Sequence, residues 1–107
     1  MGLRPLAHEF SLADVETHLS KQSCSILCTF DLDAVDQSFA PGVSAPNPDG
    51  LPATMWLDIA YLSGKSPQVT SMDVVELNPV TDVQHCTARL AALTVGRFLT
   101  GFAQRKV

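Results

Sequence analysis

The 107-residue chain has no apolar run near the roughly 20 residues needed to cross a bilayer, and its N-terminus shows no charged-then-apolar leader pattern. Both absences lead us to expect a cytoplasmic protein. Basic residues are scarce, seven Lys and Arg against eleven Asp and Glu, and the only basic cluster is Arg105-Lys106 near the C-terminus. A nucleic-acid surface needs a basic stripe, so nucleic acid is not expected as a partner. Three cysteines cannot all pair, and none of the Cys-x-x-Cys zinc spacings occurs. Cys24, Cys28 and Cys86 are expected to be buried, reduced thiols. Histidine is limited to His8, His18 and His85, none with adjacent acids in a ligand pattern. All three are expected to be structural or surface residues.

What the chain does have is a hydrophobic share of 46%, ordinary for a globular domain, and a concentration of acids at one place. Ser25-Ile26-Leu27-Cys28-Thr29-Phe30 is an apolar run that ends in Asp31-Leu32-Asp33-Ala34-Val35-Asp36. Such a run predicts a strand at about 24–31 that delivers charges to its C-terminal edge. Side chains alternate along a strand, so Asp31 and Asp33 are expected to point the same way while Leu32 points into the core. Paired carboxylates repel unless a proton or cation lies between them, and hard divalent metals favour such oxygen ligands. Asp31 and Asp33 are therefore candidate metal ligands. Asp36 is expected to fix the following loop by accepting backbone N–H bonds.

Other elements follow from spacing. Ser11 with Asp14 forms a capping-box pattern before an apolar stripe of Leu12, Val15 and Leu19, predicting a helix to about Lys21. Residues 33–52 hold Pro41, Gly42, Pro46, Pro48, Gly50 and Pro52, which predicts a shaped loop. Thr54 is placed as the cap of a short helix through about Leu62, ended by Gly64, with Trp56 and Tyr61 as packing groups. Val69–Val75 predicts a second strand closing on Glu76, with Asp73 as a buried, hydrogen-bonded acid. A last helix from about Val83 to Gln104, capped by Thr81 or Asp82, would bury Cys86, Leu90, Leu93, Phe98 and Phe102 and leave Arg97, Gln104, Arg105 and Lys106 to solvent or to its own C-terminal end. The order implies an α/β fold with parallel strands, and Asp31, Asp33 and Glu76 at a common rim, where ligands gather in such sheets. Two strands cannot supply both neighbours and both covering layers of a parallel sheet, so the chain reads as the C-terminal part of a larger domain.

Motifs narrow the chemistry. An EF-hand loop starting at Asp31 would need Gly at the sixth position and Glu at the twelfth, where Asp36 and Gly42 stand. A phosphotransferase with Asp31 as nucleophile would carry Thr at the fifth position, where Val35 stands. Phe30 to Pro46, with its Asp-x-Asp pair and Ala40-Pro41-Gly42-Val43-Ser44-Ala45-Pro46, resembles the C-terminal signature of the arginase, agmatinase and formimidoylglutamase (ureohydrolase) family. Ser71 to Pro79 is similar to that family's second motif, and Thr87-Ala88-Arg89-Leu90-Ala91-Ala92 to its last helix. The loop resembles formimidoylglutamase most, since arginase and agmatinase usually carry Gly-Thr-Gly-Thr-Pro where this chain has Gly42 to Pro46.

The resemblance implies a partial three-layer α/β/α sandwich with parallel strands, in which residues 1–107 form the C-terminal fragment of a single domain. It implies a binuclear Mn2+ site with Asp31 bridging both ions and Asp33 binding one, and Glu76 holding the cationic amidine. The implied reaction is hydrolysis of N-formimidoyl-L-glutamate to glutamate and formamide, in histidine degradation. The family's upstream metal-ligand motifs and histidine proton shuttle are not in this sequence, so no catalytic residue is assigned here. The chain alone is expected to be inactive, with a missing N-terminal part or a homo-oligomer as partner. The alternatives are a non-catalytic remnant or interacting fragment, then an arginase- or agmatinase-type activity, then the phosphotransferase.

Overall fold

The computed structural model describes residues 11–106. His8 lies outside the described residues. Helix α1 (Leu12–Ser20) opens on the expected capping box: Ser11 Oγ accepts from the Asp14 N–H, and the Asp14 carboxylate accepts from the Ser11 N–H. Strand β1 (Ile26–Asp31) follows, then a 3-10 turn (Leu32–Ala34). Helix α2 (Ala53–Lys65), strand β2 (Val69–Val75) and helix α3 (Cys86–Phe102) complete the order. The two strands pair in parallel, with Phe30 beside Val74 and Asp31 beside Val75.

Alternation gives the sheet two unlike faces. Phe30 is buried, and Cys28, Met72 and Val74 pack beside it against Trp56, Leu57, Ala60 and Leu90 of α2 and α3. Leu19 of α1 joins Val69 and Phe98 on the same face. Leu27 is 59% exposed on the other face, where Thr29, Asp31, Ser71 and Asp73 are also open to solvent. Among the described residues, the fold is thus the sheet and one helical layer of the expected sandwich. Asp73 is not the buried acid expected, because its strand position turns it away from the helices.

Trp56 is the centre of the core. Its ring meets Phe30 edge-on at 5.4 Å, and its indole N–H donates to Thr94 Oγ1 at 2.7 Å. The Thr94 hydroxyl in turn donates to the Leu90 carbonyl at 2.7 Å, so every polar atom of this buried pair is used.

Helices α2 and α3 cross at two glycines. A Cβ on Gly64 would strike the Phe98 carbonyl, and one on Gly101 would strike the Tyr61 carbonyl. Close backbone approach explains Gly64, which does not end α2 as expected; the helix runs on to Lys65. Nor does Thr54 cap it, since Ala53 is already helical and Pro52 occupies the cap position without a side-chain bond.

The last helix differs in three ways. It starts at Cys86, after two left-handed residues, Gln84 (φ 50°) and His85 (φ 59°). Its buried stripe is Thr87, Leu90, Thr94, Phe98 and Gly101, so Cys86, Leu93 and Phe102 are exposed. Cys24 is exposed too and only Cys28 is half-buried, which corrects the expectation of three buried thiols. The third difference is Arg105, which is not a solvent-facing residue. It lies over the Phe102 ring and donates to the Gly64 and Val69 carbonyls at 2.7 and 2.8 Å, closing the C-terminal end of α2.

Candidate active-site rim

The two strands stop next to acids, β1 at Asp31 and β2 at Val75, just before Glu76. Strand β1 ends at Asp31, two residues before alternation would reach Asp33. The chain bends into the 3-10 turn because the Asp31 carboxylate accepts from the Asp33 N–H at 2.9 Å. Leu32 still goes into the core, fully buried. Asp33 is half-buried, and its Oδ1 is buried with no hydrogen-bond partner. Buried carboxylate oxygens are rarely left without a donor or cation.

Val75, the registered partner of Asp31, directly precedes Glu76. Glu76 is exposed and has φ 76°, a left-handed backbone that costs a non-glycine residue about 1–3 kcal/mol. A left-handed backbone of this kind persists only where the surrounding structure holds it. The backbone register thus sets Asp31 beside the residue that precedes Glu76, and Asp33 follows in the turn outside the ladder.

The loop over the rim is ordered. The Asp36 and Leu51 N–H groups donate to the Leu51 and Ala34 carbonyls, and Gln37 donates to Asn47, folding residues 34–51 back on themselves. Val35, Ala40 and Val43 are buried beneath. Asp36 plays the expected local part, its Oδ1 accepting from the Ser38 N–H and hydroxyl at 2.9 and 2.7 Å. Val35 at the fifth position is a core side chain, which leaves the phosphotransferase reading without its hydroxyl. His18 and His85 are exposed.

Of the two residues expected to cap α3, Thr81 and Asp82, it is Asp82 that does so. Its carboxylate reaches across the left-handed turn to accept from the N–H groups of Thr87 (2.9 Å) and Ala88 (3.0 Å), while Oδ1 also takes the Val83 N–H (2.9 Å). Partial burial pushes the Asp82 carboxyl up, but the Thr87 N–H and hydroxyl, with the Ala88 and Val83 N–H groups, outweigh it and hold the value at about 2.

The donor set suits a hard divalent cation in part. Asp33 offers a buried oxygen that nothing else satisfies, and the second oxygen of Asp31 takes no part in the turn bond. Among the described residues, no group of three or more His, Cys, Asp or Glu could hold a metal ion. Two carboxylates begin a coordination sphere and do not complete one.

The chain is similar in sequence and fold to known proteins. A model of the arginase family matches residues 6–101. The chain is 35% identical to formimidoylglutamase of Staphylococcus carnosus over 96 residues, which is 88% of this chain and 31% of that protein. It is 40% identical to formimidoylglutamase of Ralstonia nicotianae over 78 residues, 73% of this chain and 24% of that protein. Trypanosoma cruzi formiminoglutamase with Mn2+ superposes with a TM-score of 0.87 at 33% identity, over 99% of this chain and 35% of that one. Arginase from Bacillus caldovelox superposes with a TM-score of 0.78 at 25% identity, over 94% and 34%. The chain thus spans a third or less of the curated relatives it matches.

Proposed function

This chain belongs to the arginase family, and on that premise we propose that it supplies one rim of a manganese-dependent hydrolase of linear amidines, with formimidoylglutamase-type specificity. The observation that carries the reading is the unsatisfied Asp33 Oδ1, buried beside Asp31 at the carboxyl end of a parallel strand. Asp31 and Asp33 present oxygens to the metal ions. Glu76 pairs with the amidinium charge and orients the planar group. Two divalent cations, when bound, lower the pKa of water toward neutrality and supply the charge for attack on the amidine carbon. The balanced reaction is N-formimidoyl-L-glutamate plus water to glutamate plus formamide. Val43 and Ala45 in the loop offer no hydroxyl, which favours this substrate over a guanidine bound through threonines.

The remaining ligands come from another polypeptide segment, joined to this chain or separate. Its docking surface is the sheet face that no described residue covers, with Leu27 59% exposed, together with the strand edges left open among the described residues. The same bare face favours a second reading, a non-catalytic remnant that survives by associating with another chain or a second copy.

The test mixes or co-expresses the chain with the part of S. carnosus formimidoylglutamase that it does not match. A purified complex that releases formamide from N-formimidoyl-L-glutamate only with Mn2+, and loses this with Asp33→Asn, supports the proposal. A purified complex that binds no Mn2+ and turns over no amidine refutes it and leaves the remnant. Release of urea from arginine or agmatine would reassign the specificity.

A further inference from the structure

Glu76 sits between two anchors. On one side, β2 pairs with β1 as far as Val75. On the other, Leu77 bridges Val43, and the Asn78 N–H donates to the Gly42 carbonyl at 2.7 Å. The loop at Gly42 is itself held from α3: its N–H donates to the buried Thr87 Oγ1 at 2.8 Å, across 45 residues of sequence. Thr87 is fully buried, and its N–H donates at 2.9 Å to the Asp82 carboxylate that caps α3. Gly42 has no room to move toward this cap, because a Cβ there would lie 2.6 Å from Asp82 Cβ. One hydroxyl therefore joins the loop, the residue pair after Glu76 and the start of the last helix.

We infer that Thr87 is a positioning residue: its hydroxyl fixes Gly42 and Val43, and through them the left-handed backbone from which the Glu76 carboxylate projects. A left-handed glutamate persists only where its surroundings over-determine it. The strand register fixes the residue before Glu76, and the Thr87–Gly42–Asn78 chain fixes those after it. For its consequence in amidine binding, the inference rests on the reading of Glu76 proposed above.

The test is NMR of the metal-free chain. Thr87→Val keeps the shape and removes the hydroxyl. Amide exchange at Gly42 and Asn78 should accelerate at least tenfold, and the Glu76 Cα and Cβ shifts should leave their left-handed values. The amides of Cys28–Phe30 and Met72–Val74 and the Trp56 indole should keep theirs. Thr87→Ser restores the hydroxyl and should return Glu76 to its original shifts. Gly42→Ala, which presses on Asp82 from the loop side, should shift Glu76 with Thr87 intact. A folded Thr87→Val protein with unchanged Glu76 shifts would overturn the inference. So would a folded Thr87→Ser protein whose Glu76 has moved, which decides the matter even if the valine variant does not fold. Metal and substrate are absent from these measurements, so a failed manganese or turnover assay sinks the functional reading and leaves this one standing.

Discussion

Two glycines in helical segments should respond to alanine with opposite signs. Gly96 lies in α3 with nothing within 4 Å of an added Cβ, and Gly64 lies in α2 against the Phe98 carbonyl. Alanine is favoured over glycine inside a helix by about 1 kcal/mol, so Gly96→Ala should stabilise by nearly that amount. Gly64→Ala gains the same propensity but must push α2 and α3 apart. The obstacle is a backbone carbonyl, not the free end of a side chain, so overpacking of about 3 kcal/mol is expected. Separation of the helices by even 0.5–1 Å also forfeits roughly a quarter to a half of each dispersion contact along the crossing. The net effect is a loss of about 2 kcal/mol, or roughly 10 °C in Tm for a domain of this size. Urea denaturation followed by circular dichroism and Trp56 fluorescence measures both variants. Equal effects of one sign would show that the close helix crossing does not exist in solution.

Asp82 provides a pH dependence. Its carboxyl is held at about 2 against an ordinary 3.8, so the folded form takes up a proton less readily than the unfolded chain. The cap's contribution is complete above about pH 4 and drains away as pH falls toward 2. Asp82→Asn should remove that acid-side slope, and an unchanged slope in urea titrations between pH 5 and 2 would contradict the cap. Thr94→Val leaves the buried Trp56 indole N–H without an acceptor and should cost about 1–3 kcal/mol; a loss under about 0.5 kcal/mol would show that the bond contributes little. Glu76→Gly relieves the left-handed strain, so it should stabilise by about 1 kcal/mol while abolishing amidine affinity in a reconstituted complex. Tighter amidine binding by this variant would refute the role given to Glu76.

The sequence was most readable where local chemistry decides the outcome. The Ser11–Asp14 box, the apolar runs at 26–31 and 69–75 and the acids that end them all appear where pattern places them. Local pattern misleads where tertiary contact overrides local preference. Gly64 looks like a helix stop because glycine usually is one, yet it was selected by the Phe98 backbone across the core. The buried stripe of α3 uses Thr87, Thr94 and Gly101, three residues that no hydrophobicity pattern would choose, because each meets a specific partner: Gly42, Trp56 or Tyr61. Leu93 and Phe102 looked like core and are exposed. Pattern places Asp31 and Asp33 at the end of β1, but the 3-10 turn that relates them depends on one side-chain bond that alternation cannot foresee.

The account stands on Asp31 and Asp33 being carboxylates built to share a divalent cation. Titrating Mn2+ into the 15N-labelled chain and following paramagnetic broadening reads this directly, even at millimolar affinity. Broadening should centre on Asp31–Ala34, extend to Val75 and Glu76, and vanish in Asp31→Asn/Asp33→Asn. Broadening that survives this double substitution, or that gathers elsewhere on the chain, would contradict the claim.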